Sequence, residues 1–155
     1  MCAVWLYKEE CFMKKNIPIN AVVYHGGNIS VKQLERIIDL LPKDFCGDIV
    51  INGDIQPNDP SQCQTQFLNI GKDISIWANN IYLLDDLYTK GSLYIKSTIS
   101  AKDITVEQDC CAGYIYCYYA EVMGDIDTSV VHAEYGYKSH GEENVPVLFI
   151  EEALD

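Results

Sequence analysis

One spacing constrains this chain more than any other feature. Ile81-x-Leu83, Leu93-x-Ile95, Ile104-x-Val106, Ile115-x-Cys117 and Ile126 begin 12, 11, 11 and 11 residues apart, and Ile70 lies 11 before Ile81. A recurrence of that length sets the whole architecture, because each unit buries its apolar side only against the next. Within a unit the apolar residues are two apart, which is the alternation of a strand. A further apolar residue follows four positions on, as in Leu83 to Leu87 and Ile95 to Ile99, across Asp, Lys, Ser or Thr suited to a bend. Gly-Asp-Ile at 47–49, 53–55 and 124–126, with Lys-Asp-Ile at 72–74 and 102–104, marks where coils restart. The expected fold is mainly β: a single-stranded parallel β-helix of about four coils, each made of two 11-residue halves. A β-sandwich also shows short alternating strands, but has no reason to repeat at this interval.

The flanking segments fit that reading. Ile17 to Tyr24 is an apolar, β-branched run ended by Gly26-Gly27, hence a first strand. Ser30-x-x-Gln33 is a capping box, and Leu34, Ile37, Ile38 and Leu41 make one helical stripe that Pro42 stops. An amphipathic helix placed before the coils serves as their cap. Gln56 to Gln66, with Pro57, Asn58, Asp59, Pro60 and Ser61, reads as a loop bulging from an early coil. Residues 1–12 read as an upstream extension or disordered segment, and 13–155 as one domain. Within it, 17–45 hold the first strand and cap helix, 46–132 the coils, and 133–155 a loop, a strand over Val145–Ile150 and an acidic tail.

The coils, with their Gly-Asp-Ile steps, resemble right-handed parallel β-helix proteins, and among small ones the bactofilins. The resemblance implies a right-handed solenoid and, for bactofilins, end-to-end polymerisation through open coils. The cap helix departs from that pattern, so self-association is disfavoured. Hexapeptide-repeat acyltransferases are a second comparison. Ile81, Leu87, Leu93 and Ile99 are six apart, but the next steps to Ile104 and Cys110 are five and six, and the small residues of such tight coils are missing.

No catalytic motif stands out. With neighbouring coils 22 residues apart, Asp103 and Asp125 would stack at roughly 4.8 Å. Clustered carboxylates serve pectin-degrading β-helices, but two solvated turn aspartates bonding local backbone are the preferred reading. Asp125-x-Asp127-x-Ser129 lacks the glycine and terminal glutamate of a calcium loop. The seven cysteines contain no Cys-x-x-Cys pair, so neither a zinc site nor a disulfide framework is expected, and the chain reads as reduced and cytoplasmic. Adjacent Cys110 and Cys111 should point to opposite faces of a strand. No cofactor is expected.

Charge is the strongest functional signal. Residues 1–102 hold 11 acidic and 10 basic side chains, while 103–155 hold 12 acidic and one basic, Lys138, which is nearly all of the chain's net −12. Such a surface repels nucleic acid and anionic membrane and attracts basic proteins. Tyrosines should line the same coils, with Tyr94 stacked beneath Tyr116. The expected docking residues are Tyr94, Glu107, Asp109, Tyr116, Tyr118, Asp125, Asp127 and Glu134. The sequence therefore reads as a non-enzymatic acidic binding protein, such as an immunity or inhibitor protein that neutralises a basic toxin, for example a nuclease. A bactofilin-like self-assembling protein and a carbohydrate-active β-helix enzyme are the alternatives.

Overall fold

A computed structural model describes the backbone of Cys2–Ala3 together with residues 20–59 and 67–151. The chain winds into a parallel β-solenoid of about five turns. Each full turn has three sides, and the strands of each side form one ladder. The first ladder comprises Ala21–Tyr24, Asp48–Ile51, Ser75–Ala78, Leu93–Ile95, residues 110–112, residues 126–128 and Glu143–Asn144. The second comprises Ile29–Ser30, Asp54–Gln56, Asn80–Tyr82, Thr98–Ser100, residues 114–117, residues 130–133 and Val147–Ile150. The third comprises Leu68–Ile70, Leu87–Thr89, Asp103–Val106, residues 119–122 and residues 136–139.

Stacking of like on like makes the core. In the second ladder Ile29, Ile55, Ile81, Ile99 and Ile115 pair in series and continue to Val131, all at most 1 % exposed. β-branched side chains suit this pleated, close-packed setting. Each such burial stabilises by about 1.5–3 kcal/mol before chain entropy is counted. Val22, Ile49, Ile76, Leu93, Cys110 and Ile126 form the matching column of the first ladder.

The coil length corrects the expected register. Ile76 pairs with Leu93 and Leu93 with Cys110, 17 residues apart, whereas Ile99 pairs with Ile115 at 16. The 11-residue interval is thus two sides of a three-sided turn and not half of a two-sided one. Ile81, Leu93 and Ile104 fall on the second, first and third ladders in succession. The Gly-Asp-Ile steps likewise enter different ladders, Ile49 and Ile126 the first and Ile55 the second.

Helix α1, Val31–Leu40, follows Ile29–Ser30, where the third strand of that turn would come. Ser30 Oγ accepts from the Gln33 amide at 3.2 Å, and the Ser30 amide donates to Gln33 Oε1 at 3.0 Å, so the expected capping box is formed. Leu41 is extended, as the residue before a proline prefers. Val31, Leu34, Ile37 and Ile38 are buried. Two later segments hold the helix: Asn58 Oδ1 accepts from the Lys32 amide at 2.8 Å, and Lys72 Nζ donates to the Ile38 carbonyl at 3.2 Å. The remainder of the expected loop, at 60–66, lies outside the described residues, as does most of 1–12. Cys2–Ala3 runs antiparallel to Val23 and Tyr24 on the outer edge of the first ladder. Among the described residues no helix is long and apolar enough to cross a membrane.

Candidate functional site

Because the coils from Ser75 onward are 16 to 18 residues apart, outward side chains group differently from the expected 22-residue pairs. Tyr94 does not stack with Tyr116. It pairs with Trp77 below and Cys111 above on the first ladder, and its ring lies on Trp77 with centroids 4.3 Å apart. These residues, with Val50, Asn79 and Lys96, line an apolar groove of about 560 Å³ along the corner between the first and second ladders. The rings face one another, so the groove offers ring edges and no open platform. Asp127 follows Cys111 in the same column and accepts from Asn144 Nδ2 at 2.9 Å. Cys111 is exposed whereas Cys110 is buried, as their adjacency in a strand requires. Burial raises the Cys111 thiol first, and the Asp127 charge adds to it.

Tyr116 lies on the second ladder in an outward column with Ser100 and His132, which continues to Phe149. Tyr114 and Tyr116 stack at 4.5 Å, Tyr116 meets His132 at 5.1 Å, and His132 meets Phe149 at 5.8 Å. Next to this column, at the corner between the second and third ladders, is a hollow of about 270 Å³ lined by Tyr116, Tyr118, His132, Glu134 and Glu151. His132 Nε2 lies 2.7 Å from Glu151 Oε1. Tyr116 and Tyr118 are close to half exposed. Here the structure brings together three expected residues, Tyr116, Tyr118 and Glu134. His132, Phe149 and Glu151 join them, and a search at a spacing of 16 to 17 from Tyr116 would have found the first two.

The remaining carboxylates lie elsewhere. Asp109 and Asp125 belong to a corner ladder between the third and first sides. The Asp109 amide donates to Ser92 Oγ at 3.1 Å, the Asp125 amide to Asp109 Oδ1 at 2.8 Å, and the Glu142 amide to Asp125 Oδ1 at 2.8 Å. Each of these carboxylates satisfies a backbone donor of the coil above, which gives it a structural task. Glu107 is exposed near this corner and accepts from the Tyr88 hydroxyl. Asp103 sits on the third ladder opposite Tyr119, so the expected Asp103–Asp125 pair does not exist. Burial, then the Asp86 charge, raises the Asp103 carboxyl. Among the described residues no three His, Cys, Asp or Glu side chains are grouped to hold a metal ion.

The acidic half occupies the last coils. Glu134, Glu142, Glu143 and Glu151 all fall on or beside the final turns, with Lys138 the one base of 103–155. Two of the acids, Glu121 and Glu151, lie 2.7 Å from His140 and His132. No family model, curated protein or solved structure matches the chain.

Proposed function

We propose that this protein is a non-catalytic binding protein whose acidic C-terminal coils dock on a basic protein partner. An immunity or inhibitor protein that neutralises a basic toxin, such as a nuclease, has this character. The observation that supports the reading most is the charge division, net −1 over 1–102 against net −11 over 103–155. A one-signed surface speeds encounter with an oppositely charged partner and rejects like-charged ones. The hollow of Tyr116, Tyr118, His132, Glu134 and Glu151 adds what charge alone lacks. Half-exposed tyrosines beside carboxylates provide the aromatic contacts on which interfaces depend. The carbohydrate-enzyme alternative lacks its paired aspartates, because Asp103 and Asp125 stand on different sides of the coil.

Association kinetics with a panel of basic nuclease toxin domains test the reading. The charge-reversed protein carries Glu107→Lys with Glu134→Lys, which spare the corner ladder of Asp109 and Asp125. An equal reversal on and after the helix, Asp39→Lys with Asp44→Lys, is the control. The expected result is a panel member whose association slows at low salt only for the first variant. Its salt dependence should flatten too, since exposed charges are screened over about 10 Å at 0.1 M salt. Equal rates for the parent and both variants would reduce the acidic coils to a solubility device, and binding to no panel member would remove the toxin reading.

A further inference from the structure

The last strand has a free side. Val147–Ile150 pairs through one edge with residues 130–133, and no other described strand pairs with it. Its four side chains are 40, 42, 53 and 44 % exposed, although all four are apolar. Leu148 and Ile150 register with Val131 and Ala133, each fully buried. They continue interior columns of the solenoid and are exposed because no described residue stacks on them. The four strand residues carry no charge and no proline, the devices that usually blunt such edges, although Pro146 directly precedes them. Carboxylates flank it instead, with Glu142 and Glu143 before it and Glu151 directly after it.

We infer that the outer edge of Val147–Ile150 accepts an extended segment of a basic partner as one more strand of the second ladder. The segment has apolar residues at alternate positions and Lys or Arg at both ends. This rests on the acidic-docking reading and adds the mode of recognition. In strand addition, main-chain hydrogen bonds supply affinity and alternate side chains supply selectivity. The apolar residues of the segment complete the columns that end at Leu148 and Ile150, and its cationic ends meet Glu142, Glu143 and Glu151. Charge disfavours the same end of a second copy, because two such ends would bring the same carboxylates against each other, and at the opposite end Cys2–Ala3 already occupies the outer edge of the first ladder.

The probe is the peptide acetyl-Lys-Lys-Val-Thr-Ile-Thr-Val-Lys-Lys-amide, labelled and titrated with the full chain by fluorescence anisotropy. Two further peptides are compared with it: one with Glu in place of every Lys, and one N-methylated at both Thr amides. The basic peptide should bind in the micromolar range, and both others at least about tenfold more weakly, since N-methylation removes edge hydrogen bonds. Glu143→Lys with Glu151→Lys should weaken the basic peptide about tenfold, and Asp39→Lys with Asp44→Lys should not. Absence of binding, or equal binding of the N-methylated peptide, overturns strand addition. Equal binding of the Glu peptide overturns the charge selection. A dimer in sedimentation equilibrium that excludes the basic peptide and is broken by Leu148→Lys assigns the edge to a second copy and also overturns the inference. If the peptides fail while a toxin domain binds and is slowed by Glu107→Lys with Glu134→Lys, only the edge inference falls. If the peptides behave as expected and no toxin domain binds, the edge stands without the toxin reading.

Discussion

Replacing Gly91 by alanine sets two physical effects of opposite sign against each other. Among the described residues only Gly27 and Gly136 have a positive φ, so alanine fits the backbone at Gly91. Considered locally, the change should stabilise by about 0.4–1 kcal/mol, because alanine has fewer unfolded conformations to lose. Stacking argues otherwise: a Cβ on Gly91 would lie 2.0 Å from the Ile74 carbonyl oxygen and 2.5 Å from its carbon. Relief requires the two coils to part at this corner by roughly 1.4 Å, since ordinary contact begins near 3.4 Å. The corner is held by the Ile76 amide to Ser92 carbonyl bond at 2.9 Å and the Lys90 amide to Ile70 carbonyl bond at 2.9 Å, both of which span these two coils. Stretching these costs about 1 kcal/mol each, and poorer packing beneath adds a similar amount. Stacking wins, and the variant should lose about 2–3 kcal/mol, or roughly 5–10 °C in Tm for a chain of this size. Gly71 is the control: a Cβ there meets only Asn69 Oδ1, at 3.9 Å, so Gly71→Ala should gain a few tenths to 1 kcal/mol. Urea unfolding followed by circular dichroism measures both. A Gly91→Ala protein at least as stable as the parent would refute the 17-residue stacking of Gly91 on Ile74.

Four further outcomes follow from the same geometry. Ile104→Asp, at a position 1 % exposed between Leu87 and Ala120, buries an unpaired charge and should leave no cooperative melt, because the cost approaches the about 5–15 kcal/mol that holds a domain folded. Ser30→Ala should cost about 1 kcal/mol in urea unfolding through loss of the capping box, with the far-ultraviolet spectrum retained. A thiol reagent should modify Cys46 and Cys111 in the folded protein, Cys111 slowed by its raised thiol, and Cys110 and Cys117 only on unfolding, since burial pushes both of the latter thiols up to about 12; fast labelling of Cys117 in the folded protein would place it outside the core. Burial and then the bond to Glu143 push the Tyr137 phenol up to about 12, so its neutral form favours the fold fully below the ordinary value of 10.0 and stops doing so as pH rises through 12; the stability difference between the parent and Tyr137→Phe should shrink over that interval, and a difference constant with pH would contradict it.

The fold class, the helix and its cap were legible because they depend on local signals: alternation, a capping box, a proline stop. The register was not. Eleven residues is about two sides of a 17-residue turn, so the recurring isoleucines advance through three ladders while appearing to mark one. The series at 81, 87, 93, 99, 104 and 110 held the true period, since each step is one side and three steps make a turn. Its step of five between Ile99 and Ile104 looked like a failure of a six-residue repeat, yet turns of 16 and 17 residues require such steps. An error in period leaves the inward set almost intact, because the alternation within each strand is local and selects the inward residues whichever coil the strand belongs to. It regroups much of the outward set. Ile104, Ile115 and Ile126 are all core residues as expected, whereas Tyr94 and Tyr116, or Asp103 and Asp125, prove to be on different sides.

The two ends of the solenoid differ in a way that the charge division alone does not express. At the first turn, Cys2–Ala3 pairs along the outer edge of the first ladder, and α1 takes the place of a third-ladder strand. At the last turn, four apolar side chains stand on an edge without a described partner. In a stacked array each coil is stabilised chiefly by its immediate neighbours, so a terminal coil with one neighbour is the least secure part of the molecule. A partner strand laid on Val147–Ile150 would therefore do more than adhere: it would supply the missing neighbour and bury Leu148 and Ile150 as Val131 and Ala133 are buried one coil below. The concentration of carboxylates on these same turns raises the repulsion within them, which a basic segment relieves and a second acidic copy increases. Apolar incompleteness and excess negative charge thus call for the same ligand at the same end.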